Sequence, residues 1–255
     1  MADILTTVEL SKYFGGVHAL EKLSITVKKG QIHGLIGPNG SGKTTFFNVV
    51  SGLLPATEGR VYFESRDITN IQPHIIANMG IARTFQAGEI APHMTTLENV
   101  MTGAYTRTNL DMRGTFFHVP FTRSAQEKKI RQRASELLEL IGLSGSAERW
   151  AEELVWVERQ LIQVARALAA EPKLLLLDEP TGGMGDEESR RVGMIIRHVR
   201  DELGITVILV GHDVRLVTSV SDWITCINFG RKISEGTPAQ VQSDPSVLEA
   251  YLGKG

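Results

Sequence analysis

The glycine-rich octapeptide GPNGSGKT at residues 37–44 constrains this chain more than any other feature. It fits the pattern G-x-x-x-x-G-K-[ST], follows an apolar stretch at residues 32–36 and precedes a stretch with helical spacing at residues 44–53. Glycines let successive backbone N–H groups turn inward around an anion, and a following helix adds positive potential at its N-terminus. The octapeptide therefore predicts a strand, loop and helix that bind phosphate groups.

Two side chains of the octapeptide indicate which phosphate compound is bound. Lys43 can reach β and γ phosphates, and the Thr44 hydroxyl can ligate Mg²⁺. A dinucleotide fingerprint needs G-x-G-x-x-G, and the glycines here are spaced differently. We therefore predict that ATP and Mg²⁺ bind here, and that the nucleotide-binding residues are Gly37, Pro38, Asn39, Gly40, Ser41, Gly42, Lys43, Thr44 and Thr45.

Apolar segments of strand length alternate with longer stretches of helical period. This alternation predicts an α/β fold in which helices cover a mostly parallel sheet, as in a P-loop ATPase core. Residues 5–27 differ, because they read as short alternating strands around glycine turns and predict an N-terminal antiparallel β subdomain. The predicted strands of the parallel sheet are residues 32–36, 80–85, 174–178 and 206–210, and the predicted helices are residues 44–53, 159–169, 188–202 and 214–221.

The strand signals fade after residue 87, and residues 96–105 and 124–141 carry helical spacing. We interpret residues 1–255 as one domain with an inserted helical subdomain at about residues 87–166. The connection at residues 106–123 fits neither period and is predicted to be a loop. Its aromatic side chains fit a partner surface and local packing equally well.

Composition excludes several classes of protein. The net charge of −2 gives no general attraction to nucleic acid, and no apolar stretch is long enough to cross a bilayer. The N-terminus lacks the pattern of a secretory signal. The single cysteine, Cys226, lies in an apolar segment, so we expect a buried structural thiol. One cysteine cannot form an internal disulfide, which suits a reducing cytoplasm.

A second motif, LLLLDEP at residues 174–180, is an apolar strand that ends in two carboxylates. In P-loop ATPases the first, Asp178, holds Mg²⁺ through water, and the second, Glu179, polarises the water that attacks the γ-phosphate. Successive strand residues face opposite ways, so the two acids have separate roles if the strand continues. An isolated strand-end Asp-Glu pair is a common exposed turn, but the upstream octapeptide favours the catalytic interpretation.

These motifs, in this order, resemble the ATP-binding subunits of ABC transporters. The resemblance implies that Gln86, in RTFQ, senses Mg²⁺ and the γ-phosphate and that His212 contacts the γ-phosphate. It also implies that Phe14 stacks on adenine, with Tyr13 as the alternative. The implied catalytic residues are Glu179, His212 and Gln86, and the implied metal-site residues are Thr44, Gln86 and Asp178.

Within that family the chain is most similar to the ATPases of branched-chain amino acid importers and the related urea importers. The similarity lies in YFGG, RTFQ, MTTLENV, the long connection at residues 106–123 and YLG at residues 251–253. The motif GMGDEE at residues 183–188 is similar to the urea type. It implies transmembrane permease subunits, a second ATP-binding subunit and, indirectly, a solute-binding protein as partners. It also implies a peripheral position on the cytoplasmic face of the inner membrane.

Two other classes of ABC protein are alternatives at this point. An exporting or lipid-extracting ATPase carries the same motifs. A non-transport ATPase of DNA repair or of ribosomes is disfavoured, because 255 residues hold neither a very long coiled coil nor a second ATPase domain.

The chain departs from the family at its signature sequence, where LVWVE at residues 154–158 replaces L-S-G-G-Q. Val155 has no hydroxyl group, and Val157 is β-branched where the family backbone approaches a phosphate of the opposite subunit's ATP. A hydrogen bond to a charged group contributes roughly 1.5–3 kcal/mol, so losing the serine weakens that contact about ten- to a hundredfold. Gly185 also stands where the family's following loop has an acidic or amide residue.

These departures lead to a hypothesis of an asymmetric heterodimer. The nucleotide site of this chain, completed by a conventional partner subunit, hydrolyses ATP, whereas its own signature loop serves the partner's site poorly. The alternative is a homodimer in which the loop around Trp156 docks by a different geometry.

Overall fold

The computed structural model describes residues 2–84, 90–105, 120–211 and 213–252, and their side chains except those of residues 120–124 and 252. The chain forms two compact units, Met1–Gln86 with Lys173–Gly255, and Ala87–Pro172. In the described part of the chain, no helix has the length and apolar character that a bilayer span requires.

The strands of the first unit are β1 (Asp3–Phe14), β2 (Val17–Leu23), β3 (Thr26–Lys28), β4 (Ile32–Ile36), β5 (Glu58–Phe63), β6 (Arg66–Asp67), β7 (Ile81–Arg83), β8 (Leu174–Asp178), β9 (Thr206–Val210), β10 (Trp223–Asn228) and β11 (Arg231–Gly236). The α-helices, in chain order over both units, are α1 (Lys43–Val50), α2 (Pro73–Met79), α3 (Thr96–Ala104), α4 (Pro120–Leu140), α5 (Trp156–Ala169), α6 (Asp186–Asp201), α7 (Val214–Val220), α8 (Pro238–Gln242) and α9 (Pro245–Leu252).

The predicted parallel sheet is confirmed. Its strands follow the order β11-β10-β4-β9-β8-β7, and every adjacent pair is parallel except β10 with β11. All residues of β4, β8 and β9 are buried, which explains their continuous apolar sequences. Because β4 and β8 are separated by β9 alone, their carboxyl ends bring the glycine-rich loop and Asp178 to the same edge of the sheet.

The predicted antiparallel sheet is also confirmed, with the order β2-β1-β5-β6 and with β3 beside β1. A two-residue loop, Gly15-Gly16, joins β1 to β2, and Phe14 pairs with Val17 across it. Strands β5 and β6 lie outside the region in which antiparallel strands were predicted. Buried side chains of this sheet pack with Phe46 and Phe47 of α1 in one core.

The second unit is built from helices, and α3, α4 and α5 pack against one another. A capping box starts α3, because the Thr95 hydroxyl accepts from the Glu98 N–H at 3.2 Å and the Glu98 carboxylate accepts from the Thr95 N–H at 2.8 Å. Gly103 allows α3 to approach α5 closely, since a Cβ at this position would lie 1.9 Å from the carbonyl oxygen of Arg166.

The prediction of a loop at residues 106–123 is wrong for its last part. Residues 106–119 lie outside the described residues, but α4 begins at Pro120. Proline suits the first position of a helix, where its preset φ is helical and the missing N–H has no intrahelical acceptor.

Cys226 lies in β10 and is fully buried, as predicted. Burial raises the pKa of its thiol to about 12, and the nearby charge of Asp244 adds to the rise while that of Lys43 opposes it. The thiol is therefore neutral at physiological pH and packs as a small apolar group.

Candidate nucleotide-binding site

The glycine-rich loop lies between the end of β4 and the start of α1. The Ser41 N–H donates to the Pro38 carbonyl at 3.1 Å, and the Ser41 carbonyl accepts from the Gly230 N–H at 2.9 Å. Gly42 has a φ of 106°, and a Cβ there would lie 2.4 Å from the carbonyl oxygen of Ala19. Both the left-handed backbone and the close approach require glycine at this position.

The Lys43 ammonium lies inside the loop, where the residue is only 5% exposed. Its Nζ donates to the carbonyl oxygens of Gly37 at 2.7 Å and Pro38 at 2.9 Å. Burial lowers the pKa of Lys43, and the negative charges of Glu179 and Asp178 oppose this lowering. The structure thus brings the predicted phosphate-binding cation close to both predicted acids.

The first turn of α1 provides further groups for phosphate and metal. The first helical hydrogen bond runs from the Phe46 N–H to the Gly42 carbonyl at 2.8 Å. The N–H groups of the residues between them therefore have no intrahelical acceptor and are available to an anion. Thr44 is exposed and Thr45 is half-buried, so Thr44 is the more accessible of the two threonines to a bound metal.

Asp178 ends β8 inside a buried polar network. Its Oδ2 accepts a hydrogen bond from Nη2 of Arg83 at 2.7 Å, and the two side chains are only 1% and 6% exposed. Nη1 of Arg83 donates to Oδ1 of Asn48 at 2.7 Å and to the hydroxyl of Ser51 at 3.2 Å.

The second carboxylate oxygen of Asp178 is placed differently. Oδ1 is buried and has no hydrogen-bond partner among the described protein atoms. A buried carboxylate oxygen in this state is costly unless a ligand satisfies it. The donor set therefore fits a hydrated Mg²⁺, which prefers oxygen ligands and retains several waters.

Glu179 follows at a turn of the backbone. Its φ of 50° lies in the left-handed region, which non-glycine residues rarely adopt. Its N–H donates to the Val210 carbonyl at 2.9 Å, and its carbonyl accepts from the Gly182 N–H at 3.1 Å. The strand thus ends at Asp178, and the direction of the half-buried Glu179 side chain is set by this turn and not by strand alternation.

Two predicted catalytic residues, Gln86 and His212, lie outside the described residues. The described neighbours are strand β7, which ends at Arg83, and helix α7, which the Asp213 carboxylate caps by accepting N–H groups at 3.0 and 3.2 Å. The roles of Gln86 and His212 stay predictions.

The two candidate adenine-stacking residues have different surroundings. The Tyr13 ring packs 4.3 Å from the His18 ring, and its hydroxyl donates to Glu58 at 3.4 Å. Phe14 is 47% exposed, and the Lys12 ammonium lies 5.1 Å from its ring centroid. An accessible ring face beside a cation favours Phe14 over Tyr13 as the residue that stacks on the base.

Replacing Phe14 with alanine is expected to weaken ATP binding about tenfold, because stacking of a base on an aromatic ring contributes about 1–3 kcal/mol. Titration of the chain with a fluorescent ATP analogue measures the effect. Val8→Ala is the matched control, since Val8 is a similarly exposed apolar residue of β1. Unchanged affinity in F14A together with a loss in Y13A would transfer the stacking role to Tyr13.

The degenerate signature sequence forms the start of α5. This helix begins at Trp156, three residues before the predicted start, because the Glu158 carboxylate accepts from the Val155 N–H at 3.2 Å. Nη1 of Arg149 lies 3.8 Å from that carboxylate, and Val155 is 63% exposed. A carboxylate thus caps the helix terminus at which a conventional signature loop presents donors to phosphate.

Helix α6 also begins earlier than predicted, for the same reason. It starts at Asp186 and not at residue 188, since the Gly185 N–H donates to the Glu188 carboxylate at 3.0 Å. Gly185 therefore immediately precedes α6 and has no side chain to offer to a neighbouring subunit.

Sequence reasoning missed the contribution of Arg83 and Asn48. In the sequence Arg83 is part of RTFQ, and Asn48 lies in a predicted helix, with no local pattern that links the two. An available signal was a charged residue within a short apolar strand, because a buried arginine needs a partner of opposite charge.

Comparison with known proteins gives a consistent result. Residues 20–182 match the ABC transporter family, and residues 231–255 match a family described as branched-chain amino acid ATP-binding cassette transporter. Over 251 residues the chain is 34% identical to the high-affinity branched-chain amino acid transport ATP-binding protein BraF of Pseudomonas aeruginosa, with 98% of each chain covered. It is 38% identical to the probable branched-chain amino acid transport ATP-binding protein LivG of Archaeoglobus fulgidus, covering 98% of this chain and 95% of the relative.

Solved structures agree with these relatives. The ADP conformation of MJ1267, an ATP-binding cassette of an ABC transporter, superposes with a TM-score of 0.87 at 35% identity, and each chain is covered completely. The dimeric structure of MJ0796, a bacterial ABC transporter cassette, superposes with a TM-score of 0.78 at 25% identity and covers 92% of this chain and 99% of that one.

Proposed function

Since the chain belongs to the ABC transporter family and is an ATP-binding cassette homologous to those of branched-chain amino acid importers, we propose that it powers the import of branched-chain amino acids or related small solutes. The observation that carries this proposal is the joint match of residues 20–182 and 231–255, the second of which is specific to the branched-chain amino acid type. Relatives of this type favour an importer over an exporting, lipid-extracting or non-transport ATPase.

The site residues divide the work of ATP hydrolysis. The glycine-rich loop and the first turn of α1 surround the phosphates, and the Lys43 ammonium contacts the β and γ phosphates. Thr44 and Asp178 would hold Mg²⁺, with Gln86 near it, and when bound the metal neutralises charge on the phosphate oxygens. Glu179 accepts a hydrogen bond from the attacking water and aligns it, and His212 contacts the γ-phosphate.

The proposed partners are transmembrane permease subunits, to which the chain binds as a peripheral subunit on the cytoplasmic face. ATP binding closes a pair of ATPase subunits, and the closure moves the permeases between access states. The solute is selected by a solute-binding protein and the permeases.

A heterodimer with a second, conventional ATP-binding subunit is the assembly we propose. Support comes from Val155, which lacks a hydroxyl group, and from Glu158, whose carboxylate caps α5 and would face the phosphates of an opposite subunit. Like charges at short distance repel, so this loop disfavours closure over the partner's ATP. The partner's signature loop would instead complete the site at Lys43 and Glu179.

Purification of the tagged chain from its own membranes tests the proposal. We expect mass spectrometry to find two permeases and a second ATP-binding subunit. With the solute-binding protein added outside, proteoliposomes whose ATPase subunits face the lumen should take up leucine only when the lumen contains ATP. Recovery of this chain as the sole ATPase would exclude the heterodimer. A complex that hydrolyses ATP but, with its solute-binding protein added, transports no branched-chain amino acid would exclude branched-chain amino acids as its solutes.

A further inference from the structure

The Arg83 guanidinium joins three elements of the first unit. It donates to Asp178 at the end of β8 and to Asn48 and Ser51 of α1, while Arg83 itself ends β7. Its Cζ also lies 5.4 Å from the ring centroid of Phe47. The helix that follows the glycine-rich loop is therefore tied to the metal-site acid through one side chain.

Stability explains this arrangement poorly. Burying two charges has a large desolvation cost, and replacing a buried ion pair by apolar residues of similar volume is often neutral or stabilising. The Arg83–Asp178 pair is almost completely buried and lies at the edge of the sheet where the nucleotide site is proposed. A role at that site accounts for the pair better than a role in folding.

The contacts also fix the orientation of the Asp178 carboxylate. Oδ2 is held by Arg83 at 2.7 Å, and the Asp178 N–H donates to the Thr84 hydroxyl at 3.2 Å. Oδ1 has no hydrogen-bond partner among the described protein atoms. With Oδ2 engaged by Arg83 and the backbone held, Oδ1 is the carboxylate oxygen left to accept a hydrogen bond from a metal-bound water.

We propose that Arg83 is a positioning residue for the Mg²⁺ of bound ATP: it holds Oδ2 of Asp178 and presents Oδ1 to the hydrated metal. This inference rests on the proposed function, because it takes Asp178 as the metal-site acid. Groups that orient metal ligands through hydrogen bonds typically contribute about ten- to a hundredfold to metal affinity.

The test uses the full chain and a fluorescent ATP analogue, titrated first with EDTA and then with increasing Mg²⁺. In R83M, which removes the charge at similar side-chain volume, we expect affinity in EDTA to stay within about twofold of wild type. The Mg²⁺ concentration that produces half of the gain in ATP-analogue affinity should be about ten- to a hundredfold higher in R83M than in wild type. R83K should recover part of this shift, since lysine restores the positive charge but not the guanidinium fork.

Arg60→Met is the matched control. Arg60 pairs with Asp67 at 3.0 Å, as Arg83 pairs with Asp178, but the Arg60 and Asp67 side chains are 62% and 39% exposed. Loss of such a surface pair has little effect, so R60M should follow the wild-type Mg²⁺ curve.

The outcomes separate this inference from the proposed function. Wild-type binding that does not respond to Mg²⁺ would contradict the metal site itself, and with it the proposed function. If Mg²⁺ raises the ATP affinity of wild type and of R83M at the same concentrations, the role of Arg83 is overturned and the proposed function stands. An equal loss of affinity in EDTA and in Mg²⁺, with a lower unfolding temperature, would also overturn it, because that is the signature of a merely structural residue. If R83M does not fold, the neutral variant R83Q decides, and a wild-type Mg²⁺ midpoint in R83Q would reject the inference.

Discussion

Glu179→Gln is expected to lower ATP turnover by the assembled transporter about a thousandfold and to leave ATP binding unchanged. A positioned general base contributes about 10²- to 10⁴-fold to rate, and an amide neither accepts the proton nor polarises the water. Glutamine keeps the shape of the side chain, so the backbone turn at residue 179 is preserved. Steady-state phosphate release measures turnover, and titration with a fluorescent ATP analogue measures binding.

The control for this experiment is Glu202→Gln, which removes an exposed carboxylate that follows α6. Its turnover should equal that of the wild-type complex. Retention of more than a tenth of wild-type turnover in E179Q would contradict the assignment of Glu179 as the residue that aligns the water. Robust turnover by the isolated wild-type chain, abolished in E179Q, would contradict the heterodimer hypothesis instead.

Restoring the serine, the second glycine and the glutamine of the conventional signature sequence is expected to raise ATP turnover by the isolated chain about ten- to a hundredfold. The triple variant Val155→Ser, Val157→Gly and Glu158→Gln adds a hydroxyl, lets the backbone approach phosphate and removes the carboxylate that caps α5. A hydrogen bond from serine to a charged phosphate contributes roughly 1.5–3 kcal/mol, which corresponds to this range. Phosphate release from the isolated chain, measured over a range of protein concentration, reports the gain.

Glu158→Gln alone separates electrostatic repulsion from the missing hydroxyl. It keeps an acceptor for the Val155 N–H, so the start of α5 is preserved. Val155→Ser alone should also raise the unfolding temperature slightly, because serine is a preferred residue at the position that precedes a helix. A wild-type chain that already turns over ATP as fast as the triple variant would show that the Trp156 loop works by another geometry in a homodimer.

The parts of the molecule predicted correctly from sequence are those whose signals are local. Strands β4, β8 and β9 read as continuous apolar runs because both faces of the sheet are covered. The glycine-rich loop is recognisable because glycine spacing, the lysine and the following helix act within eight residues. Starts of helices were less accurate, since Glu158 and Glu188 cap α5 and α6 with side chains that reach back three residues.

The order of the strands, and the contacts that this order creates, were decided by tertiary structure. Arg83 and Asp178 are 95 residues apart in the chain, and they meet because β7 pairs with β8 in parallel register. No local spacing encodes such a pair, since its formation depends on which strands become neighbours and on the burial that makes an unpaired charge costly. The sequence alone thus predicted a loop that binds ATP, whereas the tertiary structure revealed the buried ion pair that orients the acid beside it.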